Sequence, residues 1–284
     1  MKRFASKVGK AHNQLVPFDM KLAHEMQARG IRGCGKIPHF IRYASKSLEE
    51  HWKTTVEDHL PEAISAAREN RILGDHRLTT VLKDCIALHL VRSPRFLKIH
   101  NSSVMQAMVD VREEVVTQYQ AELQREFRRA HGVVAAGGEA LDMVVDRYIA
   151  PWRGYMDSGL LERQSVEETF ERIRGTFSRL DLQILRVPAF REFVIADSPA
   201  FTYRFTSQGK LELWMAIGDS QGAAMPIARD CYAVVADEPL YQEVEPFFVD
   251  LLNYAQMRIA FRHVYYRPQS GLGKFVAGAL KSPS

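Results

Sequence analysis

Residues 193–199 read FVIADSP, and from this point the sequence changes from helical patterns to strand-like ones. The apolar run that begins at Phe193 predicts a buried strand, because β-branched and aromatic residues favour strands. The run stops at Asp197, and the Ser-Pro pair that follows indicates a turn. The stretch therefore predicts a carboxylate at the end of a buried strand, where it acts in chemistry or only caps the turn.

Helical periodicity dominates the sequence before this stretch. The capping box SLEE at residues 47–50 predicts a helix start, and apolar residues recur at helical spacing as far as Ala67, with a kink expected at Pro61. A second helix carries apolar residues from Leu78 to Leu90, and Ser93-Pro94 is expected to stop it. Further helices are predicted over 102–129, from about 139, and from 165 to a point before Pro188.

Strand patterns dominate after residue 193. The segments 193–197, 201–206, 211–217, 223–228 and 232–236 predict strands, with a hairpin turn at 207–210. Residues 240–266 return to a helical pattern. The early segment 14–19 predicts an edge strand, because a sheet tolerates a proline such as Pro17 only at an edge or a strand end.

These patterns predict an α+β fold, with a helical amino-terminal half followed by a carboxyl-terminal antiparallel sheet backed by a long helix. We expect a single domain over residues 1–268. Its predicted parts are a basic arm and loop (1–46), a helical part (47–187) and a sheet plus helix (188–268), followed by a mobile tail (269–284).

The composition is that of an ordinary globular protein, with 284 residues, 46% hydrophobic and 25% charged. The longest apolar runs fall short of the roughly 18 to 20 residues that a membrane span requires, so we expect no membrane partner. The first residues lack the apolar run of a secretory signal. Without a predicted span or signal, we expect a cytoplasmic location. Cys34, Cys85 and Cys231 lie far apart, outside any metal-binding spacing, which favours reduced thiols.

Charge is concentrated at the amino terminus. Residues 1–53 contain 11 Lys and Arg against 4 Asp and Glu, so 11 − 4 = +7, whereas the whole chain carries +4 and the remainder therefore −3. Such a segment can bind nucleic acid, another polyanion or an acidic face of its own protein. A solvated basic surface is the alternative.

Three carboxylates form the first candidate site. Glu50 and Glu57 are seven residues apart and so share a face of a regular helix, while Asp197 ends a strand. Metal-dependent nucleases hold magnesium or manganese with carboxylates placed in this way. The expected Glu-x-Lys of such sites is missing, since Lys210 and Glu212 occur in the reverse order. Carboxylates on a solvated helix face are the alternative.

Arginines form the second candidate site. Arg92, Arg229 and Arg262 each follow an apolar segment, and together they could converge on an anion. Each could equally pair with a carboxylate such as Asp84 or Asp230.

Several motifs, in order, resemble those of the bacterial family known as domain of unknown function 4238. The family's pattern is similar to RFA at 3–5, the helix with Glu50 and Glu57, ALHLVRSP at 87–94, FVIADSP at 193–199, MPI at 225–227, and a closing segment with Asn253 and residues 260–265. The resemblance covers nearly the whole chain, but the family name implies no reaction.

The chain departs from this family at two places. Members usually carry a His-x-Val-Pro segment shortly before the Phe-Ala pair, so we expect the natural product either to extend upstream of Met1 or to lack this segment. Ala196 and Ser198 also replace the family's Ser and Asn beside the aspartate.

Two functions from different classes are compatible with these residues. The first is an enzyme acting on a phosphate-containing substrate, including nucleic acid. The second is a non-catalytic module that docks a protein or binds a ligand, with the same polar residues as internal braces. For the enzyme, we predict Asp197, Glu50, Glu57 and Arg92 as catalytic residues and Arg229, Asn253, Arg262 and Tyr265 as substrate-binding residues.

Overall fold

The computed structural model describes residues 1, 4–5, 13–34 and 46–281. Helices fill most of the chain from residue 46 to residue 177. They are α1 (Lys46–Trp52), α2 (Leu60–Arg68), α3 (His76–Val91), α4 (Pro94–Gln118), α5 (Gln120–His131), α6 (Gly138–Asp157) and α7 (Leu160–Phe177). A π-helical segment, Lys53–Glu57, follows α1 directly. In these described ranges, no helix has the length and apolar character needed to cross a membrane.

Strands lie at the amino-terminal end and after α7. The early strands are β1 (Gln14–Asp19), β2 (His24–Glu25) and β3 (Arg29–Gly30). The later ones are β4 (Asp181–Arg186), β5 (Ile195–Ala196), β6 (Phe201–Phe205), β7 (Leu211–Leu213), β8 (Gly222–Ala228), β9 (Cys231–Ala236) and β10 (Leu240–Glu243). Helix α8 (Pro246–Ile259), strand β11 (His263–Tyr266) and helix α9 (Leu272–Ala279) complete the described chain.

The strands form two sheets. The small sheet has the order β2-β1-β11-β5, with β3 also paired to β1, and the large sheet has the order β10-β4-β9-β8-β6-β7. The pairing of β10 with β4 is parallel, and the other pairings are antiparallel. Helices thus precede mostly antiparallel sheets, which confirms the predicted α+β class.

The large sheet lies between two hydrophobic cores, because successive residues of a strand face opposite sides. In β9, Ala233 and Val235 pack into the core that contains α2, α3 and α7. Tyr232 and Val234 of the same strand pack into the core that contains the small sheet and α8. A smaller third core joins α5 to α6. The large sheet therefore holds the helical part on one face and the small sheet on the other.

All three cysteines are buried with free thiols. Cys34 lies in the core with the small sheet, and Cys85 and Cys231 lie in the core with the helices. Burial raises the pKa of Cys85 and of Cys231 to about 12, because the thiolate would lose its hydration. These two thiols are therefore protonated at neutral pH.

The Ser-Pro pair at 93–94 ends one helix and also begins the next. Ser93 caps α4, because its hydroxyl accepts a hydrogen bond from the backbone N–H of Phe96 at 3.0 Å. Pro94 lies at the start of the helix, where its missing N–H costs nothing.

The single helix predicted over 102–129 was wrong. The structure has α4 and α5 there, which meet at Tyr119.

The helix predicted over 240–266 was also wrong at both ends. Only α8 is helical, and β10 and β11 flank it. Strand pairing with distant segments decides this, since β10 adds to β4 and β11 lies between β1 and β5. For the same reason β4 occurs inside the segment that was predicted to be helical up to residue 187.

Two predictions for the ends of the chain need correction. β1 pairs with β11 on one side and with β2 and β3 on the other, so it is not an edge strand. The predicted mobile tail contains α9, whose Val276 is buried in the core with the small sheet. The apolar residues of α9 recur at helical spacing, and this face packs against the rest of the protein.

Candidate functional site

A cavity of about 770 Å³ opens between the helical part and the segment around β5. Its described walls come from the amino-terminal end, α1 to α3, the turn after β5 and β8. The volume falls within the roughly 300–1,000 Å³ that is typical of small-molecule sites. Among the predicted catalytic residues, Asp197, Glu57 and Arg92 line this cavity.

The π-helical segment decides which glutamates reach the cavity. A π-helix closes its hydrogen bonds between residues five apart, and here Asp58 N–H donates to Lys53 O at 2.9 Å. The wide turn adds one residue to the α-helical repeat of about seven, so the residue on the same face as Glu57 is Glu49 rather than Glu50. Glu49 and Glu57 line the cavity, whereas Glu50 is exposed and is not among the described lining residues.

Pro61 gives a physical reason for the wide turn. It lacks an N–H for the carbonyl of Glu57, four residues earlier, and its ring crowds that carbonyl. The hydroxyls of Thr54 and Thr55 also donate to backbone carbonyls of α1, which loosens the regular ladder. The predicted kink at Pro61 is thus realised as a π-helical segment followed by a new start at Leu60.

Arg92 joins the two cavity glutamates. Its Nη1 donates to Glu57 Oε1 at 2.6 Å and its Nη2 donates to Glu49 Oε2 at 3.0 Å. The guanidinium carbon lies 4.8 Å from the centre of the Trp52 ring, a cation–π distance. As the residue that caps α3, Arg92 therefore fixes α1 and the π-helical segment against the end of α3.

Asp197 binds the main chain of the turn between α8 and β11. Its Oδ1 accepts from the N–H of Phe261 at 2.8 Å, and its Oδ2 accepts from those of Arg262 and His263, each at 2.9 Å. The turn that Asp197 caps is thus this one, and not the Ser198-Pro199 turn expected from the sequence. The residue also lines the cavity.

Two side-chain amides of α8 hold the segment before and after Asp197. Asn253 accepts from the N–H of Val194 at 2.9 Å, and Gln256 accepts from the N–H of Ala196 at 2.9 Å. Gln256 also donates to Pro199 O and to the Tyr232 hydroxyl, each at 2.8 Å. These bonds replace strand pairing, which explains why β5 covers only two of the five residues predicted to be a strand.

Three further groups in the cavity escaped the sequence analysis as site residues. Ser198 is 2% exposed, and its hydroxyl has no hydrogen-bond partner among the described residues. The Oε1 atom of Glu49 is also buried, and it too has no partner in this part of the chain. His89, one helical turn before Arg92, lines the same cavity. Burial lowers the pKa of His89 to about 4, and the nearby charge of Arg92 acts in the same direction. His89 is therefore neutral at pH 7.

The remaining predicted binding residues do not line this cavity in the described part of the chain. Arg229 lies 3.9 Å from Glu192, and Arg262 donates to Asp19 at 3.0 Å. Tyr265 is buried in β11, and Asn253 faces the segment before β5 and a smaller cavity of about 240 Å³. The three arginines of the second candidate site thus bind different carboxylates and do not converge on one point.

The described residues contain no group of three or more His, Cys, Asp or Glu side chains that could hold a metal ion. The three carboxylates predicted to share magnesium or manganese therefore do not form such a group. Glu50 lies on another face of the helix, and both oxygens of Asp197 bind backbone N–H groups.

The family model described as "Protein of unknown function (DUF4238)" matches residues 2–270. The chain belongs to this family. The match covers almost the whole sequence, including every element that lines the cavity, and confirms the resemblance seen in the motifs. No curated protein and no solved structure shows significant similarity to the chain.

Proposed function

We propose that the cavity between the helical part and β5 binds a small molecule, and that the protein is an enzyme acting on it. The observation that carries this proposal is the Ser198 hydroxyl, which is buried in the cavity wall and has no hydrogen-bond partner within residues 1, 4–5, 13–34 and 46–281. Buried polar groups are normally hydrogen-bonded, so a bound molecule is a natural partner for it.

Catalysis is supported by the ionisable groups gathered in the same cavity. Glu49, Glu57 and His89 can exchange protons, and a cavity that holds several such groups is the expected place for acid–base chemistry. Glu57 keeps about half of its side chain exposed, so a bound molecule can reach its carboxylate. We assign Glu57 as the first candidate for proton transfer and Arg92 as the group that orients it.

A thermal-shift panel tests the binding site. The panel contains amines, carboxylates, polyols, nucleotides and phosphate esters, applied to wild type, Ser198→Ala and the control Ser102→Ala, whose serine is exposed on α4. We expect at least one class to raise the melting temperature of wild type and of the control but not of Ser198→Ala. The absence of any shift, or a shift that Ser198→Ala leaves unchanged, would refute the site.

A phosphate-containing substrate is the narrower version of this proposal. Arg92 supports it as the one cationic side chain among the described lining residues, although both of its terminal nitrogens already bind carboxylates.

The phosphate version is tested by hydrolysis of bis(4-nitrophenyl) phosphate and of labelled RNA and DNA, with magnesium or manganese. Glu57→Gln is the informative variant, because Asp197→Ala would also remove three backbone hydrogen bonds. Equal rates for wild type and Glu57→Gln would refute this version.

Nucleic acid or another polyanion, bound through the basic segment 1–53, is a second candidate. One observation favours it: the N–H of Met20 donates to the carbonyl of Arg262 at 2.8 Å, so Arg262 lies beside this basic segment. The ammonium nitrogen of Lys21 lies 5.4 Å from the centre of the Phe261 ring, and this ring is 48% exposed and could stack on a base.

A cytoplasmic location, which both candidates assume, stays a prediction.

Salt-dependent binding tests this second candidate. We expect labelled single-stranded RNA to bind with an affinity that falls steeply with salt, since each neutralised phosphate releases counterions. Lys21→Glu combined with Arg32→Glu, two exposed residues of the segment, should weaken binding. Arg71→Glu changes an exposed arginine outside the segment and should not. Equal retention of all three proteins on a polyanion column would rule the candidate out.

A further inference from the structure

The cavity offers two hydrogen-bonding positions that no described protein group fills. Glu49 uses Oε2 to bind Arg92, and its Oε1 is buried without a partner in the part of the chain that the structure describes. The Ser198 hydroxyl is the second such position, and its residue is almost fully buried. A carboxylate oxygen only accepts hydrogen bonds, whereas a hydroxyl both donates and accepts. A ligand that pairs with this oxygen of Glu49 therefore brings at least one hydrogen-bond donor.

The charges of the cavity wall favour a cation. Among the described lining side chains, Glu49, Glu57 and Asp197 are acidic and Arg92 is basic, so the side chains carry a formal charge of 1 − 3 = −2. The α-amino group of Met1, which also lines the cavity, changes this total to −2 + 1 = −1 when it is protonated, but burial lowers its pKa. His89 adds no charge at neutral pH. Charges inside a partly closed cavity interact more strongly than in water, because the surrounding protein has a lower dielectric constant. A cationic group would be attracted here and an anionic group repelled, so a cationic ligand is an alternative to the phosphate-containing substrate considered above.

The remaining wall of the cavity is apolar. Leu60, Ile64 and Ile227 line it, and Ile64 and Ile227 belong to the core with the helices. An aliphatic chain can cover this surface and release water from it. The cavity thus combines an acidic, hydrogen-bonding end with an aliphatic wall.

We infer that the ligand of this cavity is a small aliphatic organic cation, an amine or a guanidine, whose charged head binds Glu49 and Ser198 and whose stem packs on Leu60, Ile64 and Ile227. This inference rests on the proposed function, because it names the chemical class that the same site binds. The guanidinium of Arg92 already shows the binding mode, since it donates to two carboxylates while it packs on Trp52. A ligand guanidinium would use the free oxygen of Glu49 in the same manner.

Three probes with one stem test this inference: n-butylguanidinium, n-butanol and n-butyl phosphate, titrated into the full chain and followed by calorimetry. We expect millimolar binding of the cation, and weaker or no binding of the alcohol and the phosphate. Glu49→Gln should weaken the binding of the cation by roughly tenfold, since a charge-assisted hydrogen bond is replaced by a neutral one. The control Glu62→Gln removes an exposed glutamate outside the cavity and should change nothing.

A second variant keeps the test decisive if Glu49→Gln disturbs Arg92. Ser198→Ala removes only the hydroxyl and should also weaken the binding of the cation. Stronger binding of n-butyl phosphate or n-butanol, lost in Ser198→Ala, would overturn the inference and leave the proposed function intact. Cation binding that neither variant changes would overturn the inference by placing the cation elsewhere. Failure of all three probes here, together with a negative thermal-shift panel, would overturn both.

Discussion

His89 links the cavity to the pH dependence of stability. Its pKa is lowered to about 4 in the folded protein from an ordinary value of 6.5, chiefly because burial disfavours the charged ring. Between these two pH values the unfolded chain binds more protons than the folded one, so stability is lost as the pH falls from about 6.5 to about 4. The shift corresponds to a loss of up to about 3 kcal/mol.

The variant His89→Gln should remove this part of the pH dependence. Urea unfolding at several pH values between 6.5 and 4 should show a smaller loss of unfolding free energy in His89→Gln than in wild type. The matched control is His24→Gln, since His24 is exposed in β2. If His89→Gln and wild type lose stability equally over this range, His89 does not stay neutral in the folded protein.

At the scale of elements, the π-helical segment sets the register between α1 and α3. The segment brings Glu49 rather than Glu50 onto the cavity face. We therefore expect Arg92 to be coupled energetically to Glu49 and not to Glu50. A double-mutant cycle with Glu49→Gln and Arg92→Gln should give a coupling of about 0.5–1 kcal/mol, the usual size for partly exposed ion pairs. The same cycle with Glu50→Gln should give a value near zero. A larger coupling for Glu50 would contradict the register.

Helix α8 supports the turn with Asp197 and Ser198 through its amide side chains. Gln256 is fully buried, and its removal would leave the N–H of Ala196 and the carbonyl of Pro199 without partners. We expect Gln256→Ala to lower the free energy of unfolding by about 2–4 kcal/mol, since each abandoned buried group costs about 1–3 kcal/mol. Gln208→Ala, in an exposed turn, is the control and should change it by less than about 0.5 kcal/mol. Similar values for the two variants in chemical denaturation would show that α8 does not support this turn.

At the scale of the whole molecule, α9 closes the core that contains the small sheet. Val276 is fully buried there, so Val276→Ala should destabilise the protein by about 1–3 kcal/mol through lost contacts and a small cavity. Lys274→Ala, exposed on the same helix, should be nearly neutral. A mobile segment would tolerate both changes equally, and thermal unfolding distinguishes the two outcomes.

The sequence predicts the arrangement of this molecule better than its details. The change of period at residue 193 is a local property, and so the α+β class follows from it. By contrast, β4, β10 and β11 are strands because distant segments pair with them, which no local pattern reveals. The candidate site shows the same division. Arg92 and Asp197 were predicted from local signals, whereas Glu49 lies where Glu50 was expected because one π-helical turn changed the register. Ser198 was identified only from its unpaired hydroxyl in the described part of the structure.

The three buried thiols allow the opening rates of different parts of the protein to be measured. A thiol reagent reacts only with an exposed thiolate, so each cysteine is modified no faster than its surroundings open. Cys34 reports on the core with the small sheet and Cys231 on the core with the helices, whereas Cys85, which also lines the large cavity, reports in addition on access through that cavity. Mass spectrometry of the labelled peptides over time would therefore compare the two layers directly. Equal rates at all three positions would mean that the layers open together, and a faster rate at Cys34 would mean that the small sheet detaches first.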